Sequence, residues 1–179
     1  MTEKNIGSFI ALDFEASSLS SASWPIEVGL SWIREDRIET WSTLIRPDPD
    51  WDQSDWSAQS EAVHGIPLSA LLEAPAAIDV ADKFLCMAKD FILVSDAPEF
   101  ENRWLTRLLA AGGHQASPII EDFHAVSFAV YDGIALDLLY EKLERTRAPH
   151  RAGPDSARLA AGWLTGQQAS ARTSTEGTT

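Results

Sequence analysis

Two carboxylates separated by a single aromatic residue, Asp13-Phe14-Glu15, close the apolar run Ser8-Phe9-Ile10-Ala11-Leu12. In a strand, residues two apart share a face, so Asp13 and Glu15 point the same way and Phe14 turns into the core. Like charges held together ionise less readily unless a cation sits between them. A hard divalent ion, which prefers oxygen ligands, is the natural neutraliser. The same pair also suits a strand end running into a solvated loop. Two later stretches carry further candidates. One is Val94-Ser95-Asp96-Ala97-Pro98-Glu99-Phe100-Glu101 and the other His150-Arg151-Ala152-Gly153-Pro154-Asp155. Taken alone, the second reads as a polar loop residue followed by an acid at a helix start, where acids are favoured anyway.

The elements that position these residues follow from periodicity. Residues 7–14 read as a buried strand, 16–23 as a small polar loop, and 26–33 and 37–45 as two strands joined by the turn Glu35-Asp36, an antiparallel hairpin. A polar, Trp-containing loop spans 51–59, and a short helix is expected at 70–73. Val80, Ala81, Phe84, Leu85 and Ala88 have helical spacing over 78–89. Residues 91–95 form a short buried strand. Asp96-Ala97-Pro98 starts a helix that Gly112-Gly113 ends. A strand at 118–123, a helix at 134–145 and a last helix from Pro154 to Trp163 complete the order. From Gly166 the composition turns to Gln, Ser, Thr and Gly, so 1–166 is expected to be one domain and 167–179 a disordered tail. The fold class expected is α/β, a mixed sheet with an antiparallel hairpin edge and helices on its faces.

Composition narrows the function. The chain has 179 residues, enough for one domain with a substantial core. Its 14 Lys and Arg against 27 Asp and Glu give a formal charge of −13, which argues against broad nonspecific binding along duplex nucleic acid. It leaves room for a nuclease that grips only a strand end through bound metals. No apolar run is long enough for a bilayer, so no membrane partner is expected. The N-terminus lacks the layout of a secretory signal, and a single cysteine, Cys86, precludes an internal disulfide. Cys86 falls in an apolar helical pattern and is expected in the core. Together these features predict a cytoplasmic location. Trp24, Trp51 and Trp56 lie in loops and are expected to pack rather than stack on bases. Arg145, Arg147, Arg151 and Arg158 surround the acids and could meet phosphates.

The order and spacing of Asp13-x-Glu15, the junction at 94–105 and His150-x-x-x-x-Asp155 resemble the DEDDh family of 3′→5′ exonucleases. Ile26-Glu27-Val28-Gly29 and Val63-His64-Gly65-Ile66 also fall in familiar places. The resemblance covers roughly residues 7–165. It implies a ribonuclease H-like fold and a single-stranded DNA or RNA 3′ end as substrate, cut with the help of two divalent ions, Mg²⁺ or Mn²⁺. It also implies that Asp13, Glu15 and Asp155 hold the metals and that His150 is the general base. Leu19 would pack on the terminal base, backbone around Ala16 and Ser17 would meet the last nucleotide, and His64 would meet substrate. Several stand-alone members of the family are dimers, which leaves a homodimer open.

The sequence departs from the family at two places. The loop after Glu15 is Ala16-Ser17-Ser18 where the family carries Thr-Thr-Gly. The family's middle aspartate is replaced by Glu101, one methylene longer, with Asp96 as the competing ligand. That second departure supports an alternative reading, a catalytically weakened nucleic-acid-binding or scaffold protein with the same fold.

Overall fold

The structure, a computed structural model, describes residues 6–176. Three strands come first: β1 (Phe9–Ala16), β2 (Pro25–Arg34) and β3 (Arg37–Leu44). Glu35 and Asp36 both take positive φ, 49° and 58°, the geometry of a two-residue hairpin turn whose twist matches its strands. Helices α1 (Ala58–His64), α2 (Leu68–Leu71) and α3 (Ala77–Ala88) lead to β4 (Ile92–Ser95) and α4 (Pro98–Ala111). Strand β5 (Ile120–Asp122) is followed by α5 (Phe123–Val130), α6 (Gly133–Arg145) and α7 (Ala152–Glu176).

The sheet runs β3-β2-β1-β4-β5. β1 pairs antiparallel with β2 and parallel with β4, β2 pairs antiparallel with β3, and β4 pairs parallel with β5. The mixed sheet is therefore as expected, with β1 at its centre. Alternation along β1 divides the core. Ile10, Leu12 and Phe14 pack on the α3–α4 side with Phe84, Leu105 and Leu108. Phe9 and Ala11 pack on the other side with Phe123, Leu139, Leu159 and Trp163. Asp13 and Glu15 continue that second row, so they emerge where the first turn of α7 crosses the sheet.

Four local expectations change. Helix α5 lies where no helix is expected, between the strand at 118–123 and the helix at 134–145. Asp122 begins it, its side chain accepting the Ala125 N–H at 2.7 Å. The four-residue α2 spans Leu68–Leu71 rather than 70–73, beginning after Pro67. Helix α7 does not stop near Trp163 but continues to Glu176, through most of the segment expected to be a tail; residues 177–179 lie outside the described residues. It continues because Gly166 packs against the Tyr131 ring and Ala169 is buried on the same face. Cys86 is exposed, because it sits on the side of α3 away from Phe84 and Ala88.

The start of α7 lies against β2. A Cβ on Gly29 would overlap the Ala152 carbonyl, so only glycine permits this approach. Gly29→Ala is expected to destabilise the protein by about 2–3 kcal/mol, as overpacking does. Urea denaturation checks it as a lowered midpoint with an unchanged slope.

Candidate active site

The acids converge from two elements, β1 and α7, at the carboxyl end of β1 beside β4, where open α/β sheets bind ligands. Asp13 and Glu15 come from β1, and Phe14 between them stacks on Phe84 at 6.5 Å. Asp155 comes from the first turn of α7. One carboxylate oxygen from each of Asp13, Glu15 and Asp155 lies within 4.8 Å of the others. Glu101 and Asp96 are not part of that set. Glu101 sits in the first turn of α4, only 3% exposed, and its Oε2 has no hydrogen-bond partner. Asp96 is exposed at the end of β4.

Crowding shows in the acid strengths. Burial, then the charges of Glu15, Asp155, Asp96 and Glu27, hold Asp13 well above the usual carboxylate range. Burial, then Asp155 and Glu27, push Glu15 from 4.5 to about 8, against the lowering pull of Arg151. Glu101 is raised by burial, then by Asp13, Asp96 and Glu15, with the Phe14 N–H donating to it in opposition. Burial raises Asp155 as well, although the Arg151 N–H donates to its Oδ2 at 2.9 Å. Its Oδ1 is buried with no partner. Converging oxygens, one of them (Asp155 Oδ1) buried and without a partner, on acids that resist ionisation, fit a hard divalent cation.

The sign of the resulting pH dependence is fixed. Folded Glu15 keeps a proton up to about pH 8 that the unfolded chain releases near 4.5. Its contribution is therefore neutral below about 4.5 and increasingly unfavourable as pH rises to about 8. At about 1.4 kcal/mol per pH unit, the loss is on the order of 2–4 kcal/mol once partial solvent access is allowed for. The metal-free protein is expected to melt at lower temperature at pH 8 than at pH 5. Mn²⁺ should raise the melting temperature more at pH 8, which thermal scans with and without the ion would read directly.

Beside the acids lies a cleft of about 320 Å³. Glu15, Ala16, Leu19, Val63, His64 and His150 are among its walls. Leu19 is 73% and Val63 51% exposed, an apolar lining open to solvent. His150 is exposed and takes a left-handed φ of 56° just before α7. His64 is buried, and its Nδ1 accepts the Ile66 N–H at 3.0 Å, which places the ring proton on Nε2. Nε2 is buried and without a partner. Burial lowers the His64 pKa, so the neutral ring is favoured.

The Ser-rich loop differs from its expected role. Ser17 is fully buried; its N–H donates to the Trp24 carbonyl, its carbonyl accepts from Ser57, and its Oγ accepts from the Trp24 N–H. These groups brace the loop rather than face the cleft. Ser18 and Ser20 both donate to Asp55 Oδ2. Trp24 is buried and packs with Trp51 and Trp56, as expected of the loop tryptophans.

Sequence reasoning gave Glu27 no role. It is 4% exposed and faces Glu15 across the β1–β2 pair. Its carboxylate accepts Arg151 Nε at 2.9 Å, Arg151 Nη2 at 2.7 Å and the Ala152 N–H at 2.9 Å. The one available signal was a charged residue inside an otherwise apolar strand.

No protein-family model matches the chain, and no curated protein matches it by sequence. Solved structures do resemble it. The nuclease domain of a DEDDh-family 3′-exonuclease bound to rAMP aligns over 94% of this chain and 95% of its own, with TM-score 0.68 and 16% identity. A 3′-exonuclease solved for its recognition of the histone mRNA stem-loop aligns over 90% of this chain and 81% of its own, with TM-score 0.62 and 17% identity. Escherichia coli exonuclease I in complex with a dA16 oligonucleotide aligns over 89% of this chain, with TM-score 0.64 and 12% identity; this chain spans 40% of its length. The shared feature is the fold, the mixed five-stranded sheet of ribonuclease H-like proteins flanked by helices.

Proposed function

We propose that the protein is a metal-dependent 3′→5′ exonuclease acting on single-stranded nucleic-acid ends. The observation that carries this reading is the convergence of Asp13, Glu15 and Asp155 beside an apolar cleft, in a fold shared with 3′-exonucleases. Asp13, Glu15 and Asp155 would hold two divalent ions, Mg²⁺ or Mn²⁺, with Glu101 rather than Asp96 completing the set. Burial beside Asp13 and an unpartnered Oε2 favour Glu101, while Asp96 is solvated. Bound there, such ions supply charge neutralisation and an activated water for phosphodiester hydrolysis.

The chain's own residues do the rest. Leu19 and Val63 offer an apolar wall to the terminal base. The His64 Nε2–H, lacking a protein partner, is a donor available to the terminal nucleotide. His150, on the exposed turn before α7, takes a proton from the attacking water, a task suited to imidazole near neutral pH. No described helix is long and apolar enough to cross a membrane. A cytoplasmic setting belongs to the same proposal.

Incubation with 3′-labelled and 5′-labelled oligonucleotides plus Mg²⁺ or Mn²⁺ tests the reading. Stepwise loss of the 3′ label as single nucleotides is expected. No release with either metal, together with equal binding by an Asp13→Ala variant, would leave only a scaffold role.

A further inference from the structure

We propose that Asp55 is a positioning residue of the cleft: it holds the crest of the Ser-rich loop so that Leu19 stays presented to the terminal base of a bound strand. This rests on reading the cleft as the place where an exonuclease receives that base. Residues 17–23 lead from β1 to β2, and both feet of this loop are braced. Ser17 is bonded to Trp24 through its N–H and its Oγ. At the other foot, Ser23 Oγ accepts the Trp104 Nε1–H at 2.9 Å, and Arg107 donates to the carbonyls of Ala22 and Ser23. The crest between them, Ser18-Leu19-Ser20, is tied across to another segment at one atom. Asp55 Oδ2 accepts the Ser18 hydroxyl at 2.9 Å and the Ser20 hydroxyl at 2.8 Å, one from each neighbour of Leu19. The Ser20 N–H donates in turn to Ser18 Oγ at 3.0 Å, which closes the crest into a compact turn.

Leu19 is why such a brace matters. It is exposed, and an apolar side chain in water gains by turning inward, so a free crest would spend part of its time with Leu19 out of the cleft. Hydrogen bonds to a carboxylate are roughly twice as strong as those between neutral groups, which suits one acid to hold two hydroxyls. Asp55 also stands where the second wall begins. Two residues on, the Ser57 N–H donates to the Ser17 carbonyl at 2.9 Å, while Ser57 Oγ caps α1 by accepting the Ser60 N–H at 3.2 Å. Helix α1 carries Val63 and His64, which line the same cleft as Leu19. Asp55 therefore couples the loop bearing Leu19 to the helix bearing Val63, and sets the spacing of the two apolar side chains before a base arrives. A surface ordered in advance spares the ligand the cost of ordering it.

Charge gives the test its sign. Removing an acid from a chain of −13 should by simple electrostatics tighten nucleic-acid binding, whereas losing the brace should weaken it. Fluorescence anisotropy reads the Kd of the full chain for a short single-stranded oligonucleotide with a 5′ fluorophore, with Ca²⁺ in place of Mn²⁺ to prevent turnover. Asp55→Ala is expected to raise Kd about tenfold, the scale of one leucine's burial, and to raise KM in Mn²⁺ alike while kcat changes less than about threefold. Unchanged or tighter binding, or a loss confined to kcat, overturns the proposal. Ser18→Ala combined with Ser20→Ala removes the donors instead of the acceptor and should weaken binding equally, which covers the case of an unstable Asp55→Ala chain. Asp55→Asn keeps an oxygen for the two hydroxyls and should recover most of the affinity; binding no better than that of Asp55→Ala overturns the proposal. Leu19→Ala provides the decisive comparison. If Asp55 acts through Leu19, adding Asp55→Ala to Leu19→Ala weakens binding less than about twofold further. Losses that multiply overturn the proposal, as does a native chain that binds no strand. Coupled losses of binding in Ca²⁺ without cleavage by the native chain in Mn²⁺ remove the exonuclease reading and leave the role of Asp55 standing.

Discussion

Asp13→Asn is expected to slow 3′-end hydrolysis by about 10²–10³-fold in kcat, the usual cost of removing one charge-stabilising group from a preorganised site. The same substitution should make the metal-free protein more stable at pH 8. The two signs have one cause. Asp13 is held protonated by burial and by the negative charges of Glu15, Asp155, Asp96 and Glu27. Its folded pKa lies above its unfolded value, so its contribution is neutral in acid and unfavourable once the unfolded chain releases the proton. Asparagine is nearly the same shape and never ionises, so it avoids that cost. The gain should vanish below about pH 4 and shrink when Mn²⁺ fills the wild-type site. At about 2–4 °C per kcal/mol for a chain of this length, a rise of several degrees is readable. A residue that merely held the strand in place would lose both activity and stability. The same measurements rank Glu101→Gln against Asp96→Asn, because only the ligand's substitution should both lower kcat and stabilise the metal-free protein, while the bystander's should leave kcat unchanged.

What the sequence disclosed depended on how local the encoding was. Asp13 and Glu15 were legible because the two-residue period of a strand fixes their shared face, and Phe14 confirms it by stacking on Phe84. The hairpin and α4 were legible from turn and capping residues. Helix α5 was not. Phe123–Val130 is mostly apolar, with His124 and Ser127 its only polar residues, so its amphipathic period is weak, and its place depends on Ser127 accepting the Trp163 Nε1–H 36 residues away. The polar composition after Gly166 suggested a tail because the contacts that keep α7 helical come from Tyr131. Ser17 has the chemistry to meet a nucleotide, but its partners are Trp24 and Ser57, which only the folded loop brings near. Arg151 stood in plain view beside His150 as a candidate phosphate contact. Its partner, Glu27, lies 124 residues away, and no spacing rule joins them.

That pair carries the second large effect. Arg151→Met is expected to cost about 3 kcal/mol, at the low end for breaking a buried ion pair because the arginine side chain is 43% exposed. Without the guanidinium, Glu27 would be a buried charge beside Glu15, while still accepting the Ala152 N–H. Arg151→Lys should recover only part of the loss, since an ammonium keeps the charge but not the two-pronged geometry. Combining Arg151→Met with Glu27→Gln removes the stranded charge and leaves a carbonyl for the Ala152 N–H. Most of the stability should return, as it does when both partners of a buried ion pair become neutral. Activity should not return with it. Arg151 follows His150, whose φ of 56° is left-handed and uncommon for a non-glycine residue, and the Arg151 backbone N–H donates to Asp155. The fork to Glu27 is what ties this turn to β2 beneath the acids. Freed of it, His150 and Asp155 drift together, and misplacement of about 1 Å is enough to cost roughly 10² in rate if they act as proposed. Urea denaturation and kcat measured on the four variants of the cycle separate the outcomes. Recovery of kcat together with stability would mean that the pair only braces the fold, whereas recovery of stability alone assigns Arg151 and Glu27 to positioning His150 and Asp155.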